Sequence, residues 1–206
     1  MSGGPHQDPA DAPLDAGPLG EWVVAMRAAL LGVHDADVPC GSCTACCTSS
    51  QFVPVGPDEA DALAHIPTAL QFPAPGLPPG HVLLPYDERG HCPMLVAGAC
   101  SIYSHRPRAC RTYDCRVFPA TGVTLDDPPK VAIARQAARW RFSVASDADR
   151  VAADGLRAGA EAAGHPDRLP PDRVPRNATE RAVLAVEMHA GLVPGTMPGH
   201  PDDPSR

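Results

Sequence analysis

The chain has 206 residues, a formal net charge of −7 and an apolar fraction of 44%. Only 39 residues are Val, Ile, Leu or Phe, so the composition predicts one domain with a thin hydrophobic core. The sequence lacks an apolar run of about 20 residues and a signal-peptide pattern at its start, which predicts a cytoplasmic protein without a membrane partner. The acidic balance also argues against nucleic acid as a partner.

The predicted elements are mainly helical. Residues 1–18 read as a disordered leader, and apolar spacing predicts a helix over residues 19–33. We predict a single domain over residues 19–191, with a cysteine-cluster core at 40–118 and C-terminal helices within 129–190. The other predicted elements are an edge strand at 51–55, a helix at 57–66, a β-hairpin formed by 81–86 and 92–96, helices at 129–142, 147–163 and 178–190, and a disordered tail at 192–206.

Two of the predicted helices have recognisable starts. Ser146 or Asp147 is the expected N-cap of the helix at 147–163. Asn177, followed three residues later by Glu180, predicts a capping box for the helix at 178–190.

All eight cysteines lie in a 76-residue stretch, in two groups. The first group has the spacing C-x2-C-x2-C-C and the second C-x7-C-x9-C-x4-C. Without an export signal, such thiols favour metal binding over a disulfide framework or simple core packing. The candidate metal ligands are Cys40, Cys43, Cys46, Cys47, Cys92, Cys100, Cys110 and Cys115.

Eight thiolates exceed the four that one zinc ion or one cubane cluster needs. The side chains of adjacent Cys46 and Cys47 diverge and are poorly placed to chelate one ion. The sequence therefore predicts either two centres or one centre with spare thiols. A metal ion that joins the two cysteine groups would also stabilise a domain with a small hydrophobic core. Structural zinc binding contributes on the order of 10–16 kcal/mol, and this binding free energy becomes folding free energy.

The two cysteine groups resemble the YkgJ-like cysteine-cluster family. The resemblance rests on the C-x2-C-x2-C-C run and on a longer motif, Gly98-x-Cys100-x-Ile102-Tyr103-x-x-Arg106-Pro107-x-x-Cys110-Arg111-x-Tyr113-x-Cys115. It covers residues 40–118 and implies zinc or iron chelation. A related cluster occurs in flagellin lysine methylases, which leaves the question of enzymatic activity open.

Basic residues crowd the longer motif. Residues 105–116 carry four arginines against one aspartate, and guanidinium groups near thiolates lower their pKa and donate hydrogen bonds to sulfur. Arg106 and Arg111 recur in the motif and are the expected partners of a bound cofactor. His91 and His105 flank cysteines and are alternative zinc ligands in place of one thiolate.

Three functions are compatible with these sequence patterns. The favoured hypothesis is a protein with an iron–sulfur cluster, zinc or both, acting in electron transfer or redox sensing, because C-x2-C-x2-C suits a cubane better than zinc. The alternatives are a structural zinc module that presents its helices to a protein partner, and an iron–sulfur-dependent group-transfer enzyme. The expected fold is mainly α with a short β-hairpin, a small metal-stapled cysteine-cluster domain packed on helices.

Overall fold

The structure is a computed structural model that describes residues 12–36, 38 and 40–192, with the backbone alone at 190–192. Most of the predicted tail and residues 1–11 of the predicted leader lie outside the described residues. The described helices are α1 (Leu19–Leu30), α2 (Ala60–His65), α3 (Arg108–Thr112), α4 (Val117–Thr121), α5 (Val131–Ala137), α6 (Asp147–Ala162) and α7 (Ala178–Leu192). The described strands are β1 (Leu14–Pro18), β2 (Val53–Val55), β3 (Phe72–Pro73), β4 (Val82–Leu84), β5 (Leu95–Val96), β6 (Ala99–Cys100) and β7 (Trp140–Ser143).

This architecture is mainly helical with short hairpins, as the sequence predicts. The chain divides into two compact units, and the single domain predicted over residues 19–191 stays a prediction. The first unit takes its described residues from Met1–Arg27, Arg116–Leu125 and Ala137–Arg206, and the second is Ala28–Cys115 with Asp126–Gln136.

The first unit is built on helix packing. Helices α6 and α7 approach closely at Gly159, where an added Cβ would lie 2.6 Å from the carbonyl oxygen of Ala185. Leu156 is fully buried in α6, and the alanines of both helices fill the rest of this contact. The small residues of α6 therefore allow close helix packing.

Strands β1 and β7 form a parallel pair in the first unit, which corrects two predictions. Leu14 pairs with Trp140, so residues 14–18, placed by composition in the leader, form a strand. The predicted helix at 129–142 ends at Ala137. Trp140 is buried, Arg141 is exposed and Phe142 is half-buried, and this alternation suits a strand rather than a helix.

The first residues of α6 and α7 lie close to the predicted N-caps. Ser146 is the N-cap of α6: its hydroxyl accepts from the backbone N–H of Asp149, whose carboxylate accepts from the N–H of Ser146 in a complete capping box. Asn177 caps α7 by accepting from the N–H of Glu180 at 2.9 Å. The Glu180 carboxylate accepts from the N–H of Arg176 instead, so the box at α7 is shifted by one residue.

The second unit has a small core beside its short strands. Strands β2, β4 and β3 form an antiparallel sheet in that order, with β2 at an edge as predicted. The 51–55 strand prediction holds for Val53–Val55, and the helix predicted at 57–66 is α2. The buried residues of this core are Val55, Ala62, Ile66, Leu84, Met94 and Ile102, and Cys92 and Cys100 pack against them.

The predicted hairpin of 81–86 with 92–96 is wrong. Strand β4 is occupied on both edges by β2 and β3, so it has no free edge for residues 92–96. Strand β5 pairs instead with β6, two residues further along the chain, through a turn at Ala97 and Gly98. Both turn residues have positive φ, which glycine adopts without strain at the second position.

Among the helices in the described part of the chain, none has both the length and the apolar composition of a membrane span.

Candidate metal centres

The first cysteine run is folded into tight turns. The N–H of Cys43 donates to the carbonyl of Cys40 at 2.9 Å, across a turn in which Gly41 has φ of +55°. The N–H of Ala45 points at the Cys43 sulfur, 3.5 Å away. Cys46 and Cys47 then begin a 3₁₀ helix, Cys46–Thr48. Backbone amides thus turn toward sulfur here, as they do around metal-bound thiolates.

Cys46 has four thiol neighbours. Cys46 retains exposed surface, yet its sulfur is surrounded by protein atoms. Burial raises the pKa of its thiol first, and the charges of neighbouring thiols raise it further. In order of effect these neighbours are Cys115, Cys40, Cys43 and Cys47. The three strongest, with Cys46 itself, form a four-thiol set that we name the first set: Cys40, Cys43, Cys46 and Cys115.

Cys47 belongs to different surroundings. Burial raises the pKa of the Cys47 thiol to about 11, and the next causes are the charges of Cys92 and Cys100, ahead of Cys43. Burial likewise raises the pKa of Cys110 to about 12, with contributions from three neighbouring thiols, Cys92, Cys47 and Cys100. These four thiols are the second set: Cys47, Cys92, Cys100 and Cys110.

The backbone explains how distant cysteines reach the second set. The N–H of Cys92 donates to the carbonyl of Cys47 at 2.7 Å, which ties the two cysteine groups together. The β5–β6 pairing then places Cys100 opposite Leu95, three residues after Cys92. Backbone N–H groups of Met94 and Leu95 donate to the Cys92 thiol, and the short helix α3 carries Cys110.

Neither set is as tight as a mononuclear zinc site. Zinc bonds to sulfur at about 2.3 Å, so a tetrahedron of thiolates has edges of about 3.8 Å. Within the described residues, which include all eight cysteines, no three cysteine sulfurs lie within 4.8 Å of one another. A cluster with several irons binds each thiolate through a different iron and separates the sulfurs further. The donor chemistry of both sets therefore fits a thiophilic metal.

A family comparison covers the segment that contains these cysteines. Residues 39–124 match the CxxCxxCC family model, described as "Putative zinc- or iron-chelating domain". The predicted family resemblance is confirmed. No curated protein and no solved structure is significantly similar to the chain. The CxxCxxCC segment contains all eight cysteines and the two arginines singled out by the sequence.

Arg106 in the CxxCxxCC segment lies beside the second set. Its charge lowers the pKa of both Cys47 and Cys110, against the larger effects that raise them. The guanidinium is held over the ring of Tyr103, 3.7 Å from the centroid, while its Nε donates to the Tyr103 carbonyl at 2.8 Å. These contacts fix a positive charge near two thiolates.

Arg111 follows Cys110 in α3 and has a different environment. One of its terminal nitrogens lies 3.6 Å from a carboxylate oxygen of Asp35. Its Nε is buried and has no hydrogen-bond partner among the residues that the structure describes. A buried donor without a partner is costly, so this atom is suited to a bound acceptor such as a cluster sulfur.

Lys130 is a functional candidate that the sequence patterns missed. Its ammonium donates to the carbonyls of Ser49 and Ser50, at 2.8 and 3.1 Å, and to the side chain of Gln51 at 2.8 Å. Burial lowers its pKa, while the charges of Asp127 and Cys46 raise it. Lys130 thus anchors the chain that leaves the first set, and its being the single lysine was the available signal.

The two candidate histidines do not join the thiols closely. Within the described residues, neither His91 nor His105 shares a group of three close ligand atoms with any cysteine. The backbone N–H of His91 donates to Asp87 at 2.8 Å, and the ring of His105 lies beside Asp61 and His65.

Proposed function

We propose that the CxxCxxCC segment binds two iron–sulfur centres, each held by four cysteines. The first centre uses Cys40, Cys43, Cys46 and Cys115, and the second uses Cys47, Cys92, Cys100 and Cys110. The observation that supports this proposal is that the adjacent thiols have different strongest neighbours: Cys115 and Cys40 act most on Cys46, whereas Cys92 and Cys100 act most on Cys47. Zinc or iron chelation is the property that the family comparison supports directly.

The spacing of the first run supports iron over zinc. Three cysteines at successive two-residue intervals match the bacterial iron–sulfur run, in which the fourth cysteine ligates the other cluster of a pair. Here the fourth cysteine, Cys47, neighbours the second set. No three cysteine sulfurs of the described residues lie within 4.8 Å of one another, which is compatible with a polynuclear cluster.

The chain's own groups would hold and adjust these centres. Iron–sulfur clusters, when bound, supply one-electron transfer, which suits an electron carrier or a redox sensor. The N–H groups of Ala45, Met94 and Leu95 stabilise thiolates by hydrogen bonding. Arg106 and Arg111 offset the negative charge of four thiolates and a cluster. Eight free thiols suit a reducing compartment, which agrees with the cytoplasmic location that we propose.

The two centres would also give the second unit its cohesion. Each set joins the first cysteine run to residues from Cys92 onward, across a connector that is rich in proline. Metal binding at such a site becomes folding free energy, because the unfolded chain does not preorganise the ligands.

Two neighbouring substitutions test the division into two centres. We expect Cys46→Ser to abolish one centre and Cys47→Ser to abolish the other, although the residues are adjacent. Each variant, purified anaerobically, should retain about half of the wild-type iron and sulfide, and the double variant should retain almost none. Electron paramagnetic resonance of the reduced single variants should show two different remaining signals.

Other outcomes would contradict specific parts of the proposal. Identical signals and iron contents in both single variants would show that Cys46 and Cys47 serve one centre. A colourless protein with stoichiometric zinc, which unfolds when a chelator is added, would replace the iron–sulfur proposal with a structural zinc module. Thr48→Ser, which changes the hydroxyl residue directly after the cysteine pair and retains its hydroxyl group, is the matched control.

A further inference from the structure

A second type of ligand cluster lies in the second unit, apart from the thiols. Asp61, His65 and His105 each offer one ligand atom, and these three atoms all lie within 4.8 Å of one another. Asp61 and His65 are four residues apart in α2, so they lie one above the other on the same face of the helix. His105 comes from the 3₁₀ helix Tyr103–His105, about forty residues further along the chain.

The three side chains are already oriented toward one another. The Nδ1 of His105 lies 2.8 Å from one carboxylate oxygen of Asp61, and the Nδ1 of His65 lies 3.7 Å from the other. The two imidazole rings stack with centroids 3.5 Å apart and planes 6° from parallel. This stacking keeps the nitrogens of both rings beside a single carboxylate.

We propose that Asp61, His65 and His105 bind one exchangeable divalent transition-metal ion. Two imidazoles and one carboxylate are ligands that zinc and ferrous iron accept, and zinc bonds to such atoms at about 2.0–2.2 Å. Ligand atoms around such an ion are about 3.4 Å apart, and the ion lies in the plane of each ring that binds it, so one imidazole must rotate out of the stack on binding. The ion would take the place of the hydrogen bond between His105 and Asp61.

The setting of the cluster indicates an open site. Asp61 and His65 are exposed and His105 is half-buried, so water can fill the remaining coordination positions. The charge of Arg111 acts on Asp61, and a terminal nitrogen of Arg111 lies 3.6 Å from a carboxylate oxygen of Asp35. Bound metal would fix α2 to the turn that precedes Arg106.

Zinc titration of the intact protein tests this site. The full chain without an affinity tag, isolated anaerobically with its cysteine-bound metal in place, is titrated with Zn²⁺ at pH 7.5 by calorimetry and equilibrium dialysis. We expect one exchangeable Zn²⁺ per chain that excess Mg²⁺ does not displace, because Mg²⁺ prefers oxygen ligands. His65→Ala and His105→Ala should each weaken this binding by at least about tenfold.

Controls separate this site from the thiols and from misfolding. His34→Ala removes another exposed histidine whose Nδ1, like that of His65, lies 2.8 Å from a backbone carbonyl oxygen, and it should bind Zn²⁺ as the wild type does. Asp61→Asn keeps the side-chain shape and should weaken binding as well. The iron and sulfide content of every variant should equal that of the wild type. Absence of exchangeable Zn²⁺ in the wild type, or wild-type binding in His65→Ala and His105→Ala, would overturn the proposal and leave the cysteine centres unaffected.

Discussion

Cys46 and Cys47 are adjacent in the chain but have different thiol neighbours. Their adjacency predicts a surplus of thiols over one simple site. The sequence could not predict the division itself. It depends on which cysteines arrive from more than forty residues away, and thus on the Cys92–Cys47 hydrogen bond and the register of β5 with β6.

The sequence predicts which charged residues accompany the thiols better than it predicts which distant residues contact them. The longer motif indicated that arginines accompany the thiols, and Arg106 does act on Cys47 and Cys110. The sequence did not predict the contacts of Lys130 with Ser49 and Ser50, because these residues are about 80 positions away in the chain.

Loss of the Arg106 charge should weaken the second centre selectively. Arg106 lowers the pKa of Cys47 and Cys110, so Arg106→Gln should raise both values. Metal binds the thiolate, and we therefore expect the pH of half-maximal metal release from the second centre to rise by roughly 0.5–1 unit. The measurement follows metal loss against pH in the Cys46→Ser background, where only the second centre remains.

Arg89→Gln is the matched control for this prediction. Arg89 also belongs to the second unit, but it is exposed and paired with Asp87 at 3.0 Å. Arg89→Gln should not change the pH of half-maximal metal release. Equal curves for Arg106→Gln and the wild type would show that Arg106 does not act on the centre.

At the scale of elements, local signals predicted helix starts well and strand partners poorly. The N-caps Ser146 and Asn177 lie where their side chains can bond to the next turn, which is a property of a few neighbouring residues. The strands β1 and β7 pair across more than 120 residues, and β7 is only four residues long. Apolar residues in so short a segment fit a helix and a strand equally well. Pairing with β1 therefore determines that residues 140–143 form a strand.

Close packing of α6 on α7 makes a further prediction. Gly159→Ala should destabilise the first unit by about 1–2 kcal/mol, because overpacking costs about 1–3 kcal/mol and outweighs the helix propensity gained. The new Cβ would lie 2.6 Å from the Ala185 oxygen and 3.1 Å from its Cα, and backbone atoms cannot rotate away. Urea unfolding followed by tryptophan fluorescence measures the effect, since Trp22 and Trp140 both belong to the first unit.

Asp154→Ala provides the comparison in the same helix. Asp154 is exposed, and its side chain makes an ion pair with Arg157 at 3.4 Å. Exposed substitutions of this kind change the free energy of unfolding by no more than about 0.5 kcal/mol. A Gly159→Ala protein as stable as Asp154→Ala would contradict the packing argument.

For the whole molecule, the low content of large apolar residues is related to the clustering of the cysteines, because some of these cysteines pack against a small core. The core of the second unit is a small cluster around Val55, Leu84 and Ile102, and two of the eight cysteines, Cys92 and Cys100, pack directly against it. Composition correctly indicated a shortage of large apolar residues. It could not show two compact units, because the first is assembled from three separate stretches of chain.

Metal and sulfide stoichiometry is the decisive measurement for the proposal that eight cysteines hold two iron–sulfur centres. Protein purified anaerobically is assayed for iron, acid-labile sulfide and zinc, and its visible spectrum is recorded before and after dithionite. Two [4Fe–4S] clusters predict about eight iron and eight sulfide ions per chain, with absorbance near 400 nm that dithionite bleaches. A colourless protein that contains zinc and no labile sulfide would contradict the proposal.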